Sequence, residues 1–449
     1  MRYDLGLMDM YPIEASGTTI ENDPMFKITL KSKIDPVVLE DAVYRAIRFH
    51  PLFGTQVRFD DVYYLQTNNR PVKLVHAKDS SRPLDFCKNT NGYPWQLCWY
   101  DRTITFEWCH GVTDGRGALD FLKTMLSIYC GMKFPVVPRK IMLGPGLEPF
   151  VDSKEKGIGY KMEPAGFSKR TLPVYKRGYK TDCHVLSADT KEIIDLSHKT
   201  GSSPSVVLSV LLSQAIRKHL PANASNRNVA CNVVMDLRKC FVYETMHNCA
   251  EYKRITYQDK HDSMSFKEIC ADYKAILDHA RIRENVVRMV TERIASFRAL
   301  HYVHSKGIRH AAMHVIARLL KDSDCNCVLT YLGKTDFPEE VNAQIEDFQF
   351  RVWHDFGECI LAAVDINGTF KINICENYIE KGIVEDFIEL CAEQGIYWNY
   401  LESTEYEQGH FVEESSIRTK VSERNSEERA PRETLLPFPN PLGSPAVFL

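Results

Sequence analysis

The run Thr103-Ile104-Thr105-Phe106-Glu107-Trp108-Cys109-His110-Gly111-Val112-Thr113-Asp114-Gly115 changes its period half-way along. Up to His110 it alternates, so Ile104, Phe106, Trp108 and His110 share one face at the period of two that a strand imposes. Past Gly115 the apolar positions Ala118, Phe121, Leu122, Met125, Leu126 and Tyr129 recur at three and four, the stripe of an amphipathic helix. The result is a strand, a sharp turn and a helix. A histidine placed at such a strand end is held by a sheet and still free to face a cavity. A turn at Asp101-Arg102 and the β-run Trp95–Trp99 before it make this strand the second arm of a hairpin.

Working upstream, Met25–Leu30 reads as a strand. Asp35-Pro36 then supplies an N-cap and a first-turn proline for a helix that Pro51 stops after His50. Gly54–Phe59 and Val62–Gln66 carry shorter β signals. Downstream, residues 131–180 are rich in Gly, Pro and Lys with little periodicity, which places a domain boundary near residue 175. In the second half Ser187 is expected to cap a helix reaching Lys199, and Ser203-Pro204 to start another reaching Leu220. Val229–Met235 reads as a strand, Phe266–Ala299 and Arg309–Leu320 as helices, and Cys327–Leu332, Phe348–Trp353 and Glu358–Asp365 as strands. Asn367-Gly368 predicts a hairpin into Phe370–Cys375. A last helix is expected over Glu380–Leu401. Beyond His410, alternating charges and prolines cannot bury enough apolar area to offset ordering entropy. The division is therefore 1–175, 176–410 and a disordered tail at 411–449.

Composition excludes several function classes. With 449 residues, 44% hydrophobic and 26% charged, the chain can build two or three ordinary cores. A formal net charge of −3 gives no overall field to draw it to nucleic acid or an anionic membrane. The longest nearly apolar run, Val206–Ile216, falls short of the ~20 residues a membrane span needs. Asp4, Asp9 and Glu14 stand where a signal peptide requires a basic start, so a cytoplasmic location is expected. The 14 cysteines include no C-x-x-C and read as reduced core residues. His301, His304, His310 and His314 contain one H-x-x-x-H pair without Glu or Cys at a ligand offset; they read as exposed helix histidines, and no metal is expected.

His110 to Gly115 fits H-x-x-x-D-G and resembles the active-site signature of the chloramphenicol acetyltransferase-like superfamily of CoA- or carrier-dependent acyltransferases, which includes condensation domains, plant BAHD acyltransferases and alcohol acetyltransferases. Three further stretches are similar to that superfamily. They are His50-Pro51-Leu52-Phe53, the run Asn232-Val233-Val234-Met235-Asp236-Leu237-Arg238, and Leu329-Thr330-Tyr331-Leu332-Gly333-Lys334, which resembles its crossing segment. Together they span residues 1 to about 401, and the nearest group is the stand-alone alcohol acetyltransferases.

The resemblance implies an α/β fold of the two-layer α+β kind: two similar lobes, each a mixed sheet covered by helices, with a tunnel between them. It implies that His110 is the general base for direct transfer of an acyl group, acetyl or short acyl, from a CoA thioester to an alcohol or amine. Asp114, Gly115 and Arg238 would support the site, with Asp114 turned away from the tunnel and paired to Arg238 across the lobes. Trp108 and Gly111 would lie along the tunnel. No permanently bound cofactor is implied, only acyl-CoA as cosubstrate or a phosphopantetheinyl carrier. Two departures stand out. Cys109 occupies the place where condensation domains usually carry a first histidine, and Asp355-Phe356-Gly357 begins a BAHD-like D-F-G run but continues Glu358-Cys359. Other readings stay open: Asp114-Gly115 as an ordinary helix cap, Arg238 as a solvated charge. The whole protein also reads as a carrier-dependent condensation-type enzyme or as a catalytically silent binding protein of the same fold, although the intact His110 and Asp114 argue against the last.

Overall fold

Alternation along the early strands builds the first layer: Phe26, Ile28, Ile104, Phe106 and Trp108 are all buried in one apolar cluster, while the residues between them turn to the other face. The computed structural model describes residues 23–60, 63–77, 90–133, 181–222, 227–241, 245–301, 325–352, 357–379 and 381–406, with short pieces at 2–5, 9, 12–13, 84, 303, 305, 307–308 and 311–312. The expected boundary near 175, most of the helix expected over 309–320, His304, His310, His314, Asp355-Phe356 and the tail at 411–449 lie outside those residues.

The described strands are β1 (Arg2–Asp4), β2 (Met25–Leu30), β3 (Thr55–Phe59), β4 (Tyr63–Thr67), β5 (Leu74–His76), β6 (Trp95–Tyr100), β7 (Thr103–Trp108), β8 (Thr181–Asp189), β9 (Val229–Asp236), β10 (Ala250–Tyr257), β11 (Cys325–Lys334), β12 (Ile345–Arg351), β13 (Gly357–Ile366), β14 (Thr369–Glu376) and β15 (Asn399–Tyr406). The longer helices are α1 (Pro36–Phe49), α2 (Gly115–Tyr129), α3 (Thr190–Thr200), α4 (Pro204–His219), α5 (Phe266–Ala280), α6 (Arg283–His301) and α7 (Ile383–Glu393). A five-stranded sheet runs β12-β2-β7-β6-β5, a seven-stranded one β10-β9-β11-β13-β14-β8-β15, and a small one β1-β4-β3. The larger two are mixed: β11 is parallel to β9 and β13, β5 is parallel to β6, and the other pairs are antiparallel.

Each large sheet carries its own core. Apolar residues of α1 and α2 close one face of the five-stranded sheet, and α3, α4, α5 and α7 cover one face of the seven-stranded sheet. Every residue of the run Val206–Ile216 except Gln214 is buried, because α4 is wrapped on all sides; Ser209 and Ser213 donate their hydroxyls to the carbonyls of Val206 and Ser209. The lobes do not divide at one point in sequence. Strand β12, from the second half, pairs with β2 and completes the first sheet, with Arg351 opposite Met25.

Three local expectations change. Ser187 is a strand residue of β8, and the cap of α3 is Asp189, whose carboxylate accepts from the Lys191 N–H. The stretch 266–299 is two helices parted at Arg281-Ile282. The stretch 380–401 is a shorter helix followed by a strand, since Gly395 at φ 84° turns the chain after α7 and Asn399 begins β15. By contrast Asn367 and Gly368, both at positive φ, make the expected tight hairpin between β13 and β14. Every described cysteine is a free thiol.

Candidate active site

Strand β7 ends at Trp108, and its backbone is still tied down one residue later, where the Cys109 N–H donates to the Pro94 carbonyl at 2.8 Å. His110 follows in a turn, partly buried. Among the described residues its buried Nδ1 has no hydrogen-bond partner other than on His110 itself. Burial lowers the His110 pKa, and the residue's own backbone carbonyl and the Asp114 carboxylate oppose that only in part, so the ring is neutral at pH 7. A proton on Nδ1, directed at its own carbonyl, leaves the Nε2 lone pair free. That is the form a proton acceptor needs.

Asp114 caps α2 with Oδ1, which accepts from the N–H groups of Arg116 at 3.1 Å and Gly117 at 3.0 Å. The same carboxylate receives Arg238 in bidentate fashion, Nη1 to Oδ2 at 2.8 Å and Nη2 to Oδ1 at 3.0 Å, and Oδ2 also accepts from the Cys249 N–H at 2.8 Å. Burial alone would push the Asp114 carboxyl up, but the Arg238 charge and the converging N–H donors outweigh it and hold the group below the ordinary carboxylate range. Arg238 spends its remaining donors on the carbonyls of Thr245 and His247 and on Asp236 Oδ1. The pairing across the lobes is present, and Arg238 is not a solvated charge: its side chain is 12% exposed.

The glycines serve packing. A Cβ on Gly111 would lie 2.5 Å from Ile13 Cγ1 and 2.7 Å from the Asp9 carbonyl, and one on Gly117 would lie 2.5 Å from the Met246 carbonyl. Gly111 is therefore pressed against Asp9 and Ile13. Gly115 is looser, with Leu332 of β11 and Phe350 of β12 at 3.1 and 3.5 Å from such a Cβ. Trp108, also expected along the tunnel, is 1% exposed and lies against Phe26 at 4.7 Å in the first core. Period two does put it on the aromatic face, but helices cover that face. Cys109 is fully buried in the same core.

Solved structures share this fold. The TRI3 trichothecene 15-O-acetyltransferase of Fusarium sporotrichioides superposes with a TM-score of 0.62 over 88% of this chain and 95% of its own, at 14% identity. This is the chloramphenicol acetyltransferase-like fold. Two other structures with it are TRI101 of F. graminearum, solved with coenzyme A and deoxynivalenol (TM-score 0.59, 11% identity, 89% and 99% covered), and the condensation domain of the monacolin K polyketide synthase MokA (0.56, 12%, 88% and 96%). No protein-family model and no curated protein matches the sequence.

Within the chloramphenicol acetyltransferase-like fold of this chain, the loop Thr245–Cys249 does work that no motif announced. It supplies two carbonyls to Arg238 and one N–H to Asp114. It also supplies the Met246 carbonyl that the Thr113 hydroxyl donates to at 2.5 Å. His50, at the end of α1, reaches the same loop: Nε2 meets Thr124 Oγ1 at 2.6 Å and Nδ1 meets Met246 Sδ at 3.2 Å. The His50 stretch was recognisable by resemblance, whereas the loop has no residue pattern that spacing would flag.

Two of these histidines make the fold acid-sensitive. Burial lowers His50 to about 4, and burial followed by the Arg238 charge lowers His247 to about 4. The unfolded chain, with histidines near 6.5, binds protons that the folded one refuses between those values. Stability is thus full above pH 6.5 and falls as the pH drops towards 4, by about 3 kcal/mol per histidine at the limit. Urea unfolding at pH 7 and pH 5 checks this, with a lower midpoint expected at pH 5; equal midpoints would contradict it. No helix among the described residues is long and apolar enough to cross a membrane.

Proposed function

We propose that the protein is an acyltransferase that moves an acetyl or short acyl group from a CoA thioester to an alcohol or amine, with His110 as general base. The observation that carries the reading is the state of His110. A neutral imidazole stands at a strand end, makes no hydrogen bond to another residue through its buried Nδ1, and is fixed by a turn whose Asp114 is clamped to Arg238. In the reaction Nε2 takes the proton of the acceptor as its oxygen or nitrogen bonds to the thioester carbonyl carbon. The tetrahedral adduct then releases the thiolate, and the imidazolium returns the proton to sulfur. No enzyme nucleophile is needed. The 15-O-acetyltransferase activity in the name of TRI3 supports acyl transfer, and the coenzyme A in the TRI101 complex supports a CoA donor.

Thiol release from a panel of acyl-CoAs, with and without pooled alcohols and amines, tests the proposal. Acceptor-dependent release is the expected result. Release from a thioester on a phosphopantetheinyl carrier but not from free acyl-CoA would assign the condensation-type alternative, and no release from either would leave a silent binding protein. The rate has a predicted pH profile as well. Because burial sets the His110 pKa below 6.5, kcat/KM is flat at and above pH 7 and falls only on the acid side of 6.5. An inflection above pH 7 would assign the base to another group.

A further inference from the structure

The two sheets meet across a polar seam. On β14, Phe370, Ile372 and Ile374 face the helices of their own lobe, so Lys371, Asn373 and Cys375 face the other way. On β12, Phe348 and Phe350 enter the first core, which turns Asp347, Gln349 and Arg351 out of it. An ion pair between Lys371 and Asp347 joins these two faces. Around it the polar groups satisfy one another. Gln349 Nε2 donates to Asp347 at 2.8 Å, Arg351 Nε donates to Gln349 Oε1 at 3.0 Å, and Arg351 Nη2 lies 3.5 Å from Glu402 of β15. Cys183, opposite Cys375 on β8, feels the Arg351 charge, so Arg351 sits over that end of the pair of strands.

Between the Lys371–Asp347 pair and the Arg351 end lies Asn373. It is 1% exposed, and among the described residues neither its amide nitrogen nor its amide oxygen has a hydrogen-bond partner. Buried polar atoms are seldom left so, and here a donor and an acceptor are open on one side chain among neighbours that are already paired. The flanking residues in its row are Val185 and Ala362, which offer no polar atom in their side chains. The seam also leads to the end of the first sheet that carries the base. Arg351 is opposite Met25, and Met25 is opposite Glu107, three residues before His110. Two strand spacings are ~10 Å and three residues of extended chain another ~10 Å, so an acceptor that reaches from the seam to His110 is an elongated molecule of roughly 15 Å.

Resting on the acyltransferase reading above, we infer that Asn373 is an acceptor-binding residue: its amide pairs with a second, non-reacting hydroxyl or amide group of a neutral acceptor whose reacting end lies at His110. The chemistry sets the class. A hydroxyl or an amide both donates and accepts and so answers both amide atoms, a carboxylate uses the donor alone, an ammonium uses the acceptor alone, and a hydrocarbon uses neither. The charged groups of the seam are already engaged with each other, which favours an uncharged partner.

Acyl transfer by the wild type and Asn373→Leu, with a short acyl-CoA and matched pairs of a linear alcohol and the α,ω-diol of the same length, tests the inference. The wild type is expected to favour the diol. Asn373→Leu, which replaces an open amide by an apolar side chain of similar volume, is expected to keep or raise the melting temperature and to leave the KM for acyl-CoA unchanged. It should lower the diol-to-alcohol ratio of kcat/KM at least about tenfold, since the leucine removes both neutral hydrogen bonds to the amide. An Asn that matters only to packing leaves that ratio unmoved, and an unmoved ratio in a folded variant overturns the inference while the acyltransferase reading survives. Should the leucine variant fail to fold, Asn373→Ser is read by the same ratio. No thiol release by the wild type with any acceptor defeats both.

Discussion

His110→Ala is expected to lower kcat/KM for acyl transfer by at least ~10², and up to ~10⁴, with the protein still folded and still binding acyl-CoA. The fold should tolerate the change because the imidazole makes no hydrogen bond to another residue through its buried nitrogen. The elements that set the turn belong to its neighbours: the Cys109 N–H on Pro94, the Thr113 hydroxyl on Met246 and the Asp114 cap. Truncation thus removes a base and leaves its mount. The comparison with Cys109→Ala makes the result specific. Cys109 is fully buried in the first core, so that variant loses a small amount of packing and should retain most activity. The opposite pattern, a dead Cys109→Ala with an active His110→Ala and an acyl-enzyme detectable by mass, would replace direct transfer by a thiolate nucleophile.

What could be read from the sequence was what local chemistry specifies. The hairpin into His110, the cap and stripe of α2, the Asp35-Pro36 start of α1 and the Asn367-Gly368 turn each carry their signal within a few residues, and each is found in place. Failures came where a strand is defined by distant partners. Strand β8 has Ser187 near its end and reads as a cap because nothing nearby reveals that β14 and β15 flank it on either side. In the same way Trp398, Tyr400 and Leu401 prolong the apolar spacing of α7, and only the positive φ of Gly395 separates helix from strand. The site divides along the same line. His110, Asp114 and Arg238 stand in recognisable stretches, but the loop that completes the clamp does so through the backbone of Thr245, Met246, His247 and Cys249, and backbone carbonyls and N–H groups have no residue signature. The close packing around Trp108 and Gly111 was not legible for a related reason: period and residue size fix a face, whereas what covers that face depends on α1, α2, Asp9 and Ile13.

Arg238→Ala should destabilise the folded protein by about 3 to 5 kcal/mol, because it strands the Asp114 carboxylate without its cation in a site 5% exposed. The loss is not confined to one pair. The guanidinium holds Asp114 in one lobe and, on its own side, the carbonyls of Thr245 and His247, so its removal also frees the loop whose Met246 carbonyl anchors Thr113 next to Asp114. A slackened turn displaces His110, and kcat should fall together with stability. Arg238→Lys keeps the charge but cannot reproduce a bidentate contact and three further hydrogen bonds from one planar group, so it should recover only part of either. The acid dependence differs from that of the buried histidines: with its folded pKa held below the ordinary value, Asp114 contributes stability throughout the range above about pH 4 and loses it only as the pH falls through that lowered pKa. Urea unfolding at pH 7 beside the neighbouring exposed Lys239→Ala gives the reading, since a solvated surface charge shifts stability by no more than about 0.5 kcal/mol. Equal midpoints for Arg238→Ala and Lys239→Ala would mean that the pair across the lobes does not hold the His110 turn, and the fixed imidazole on which general-base catalysis depends would need another support.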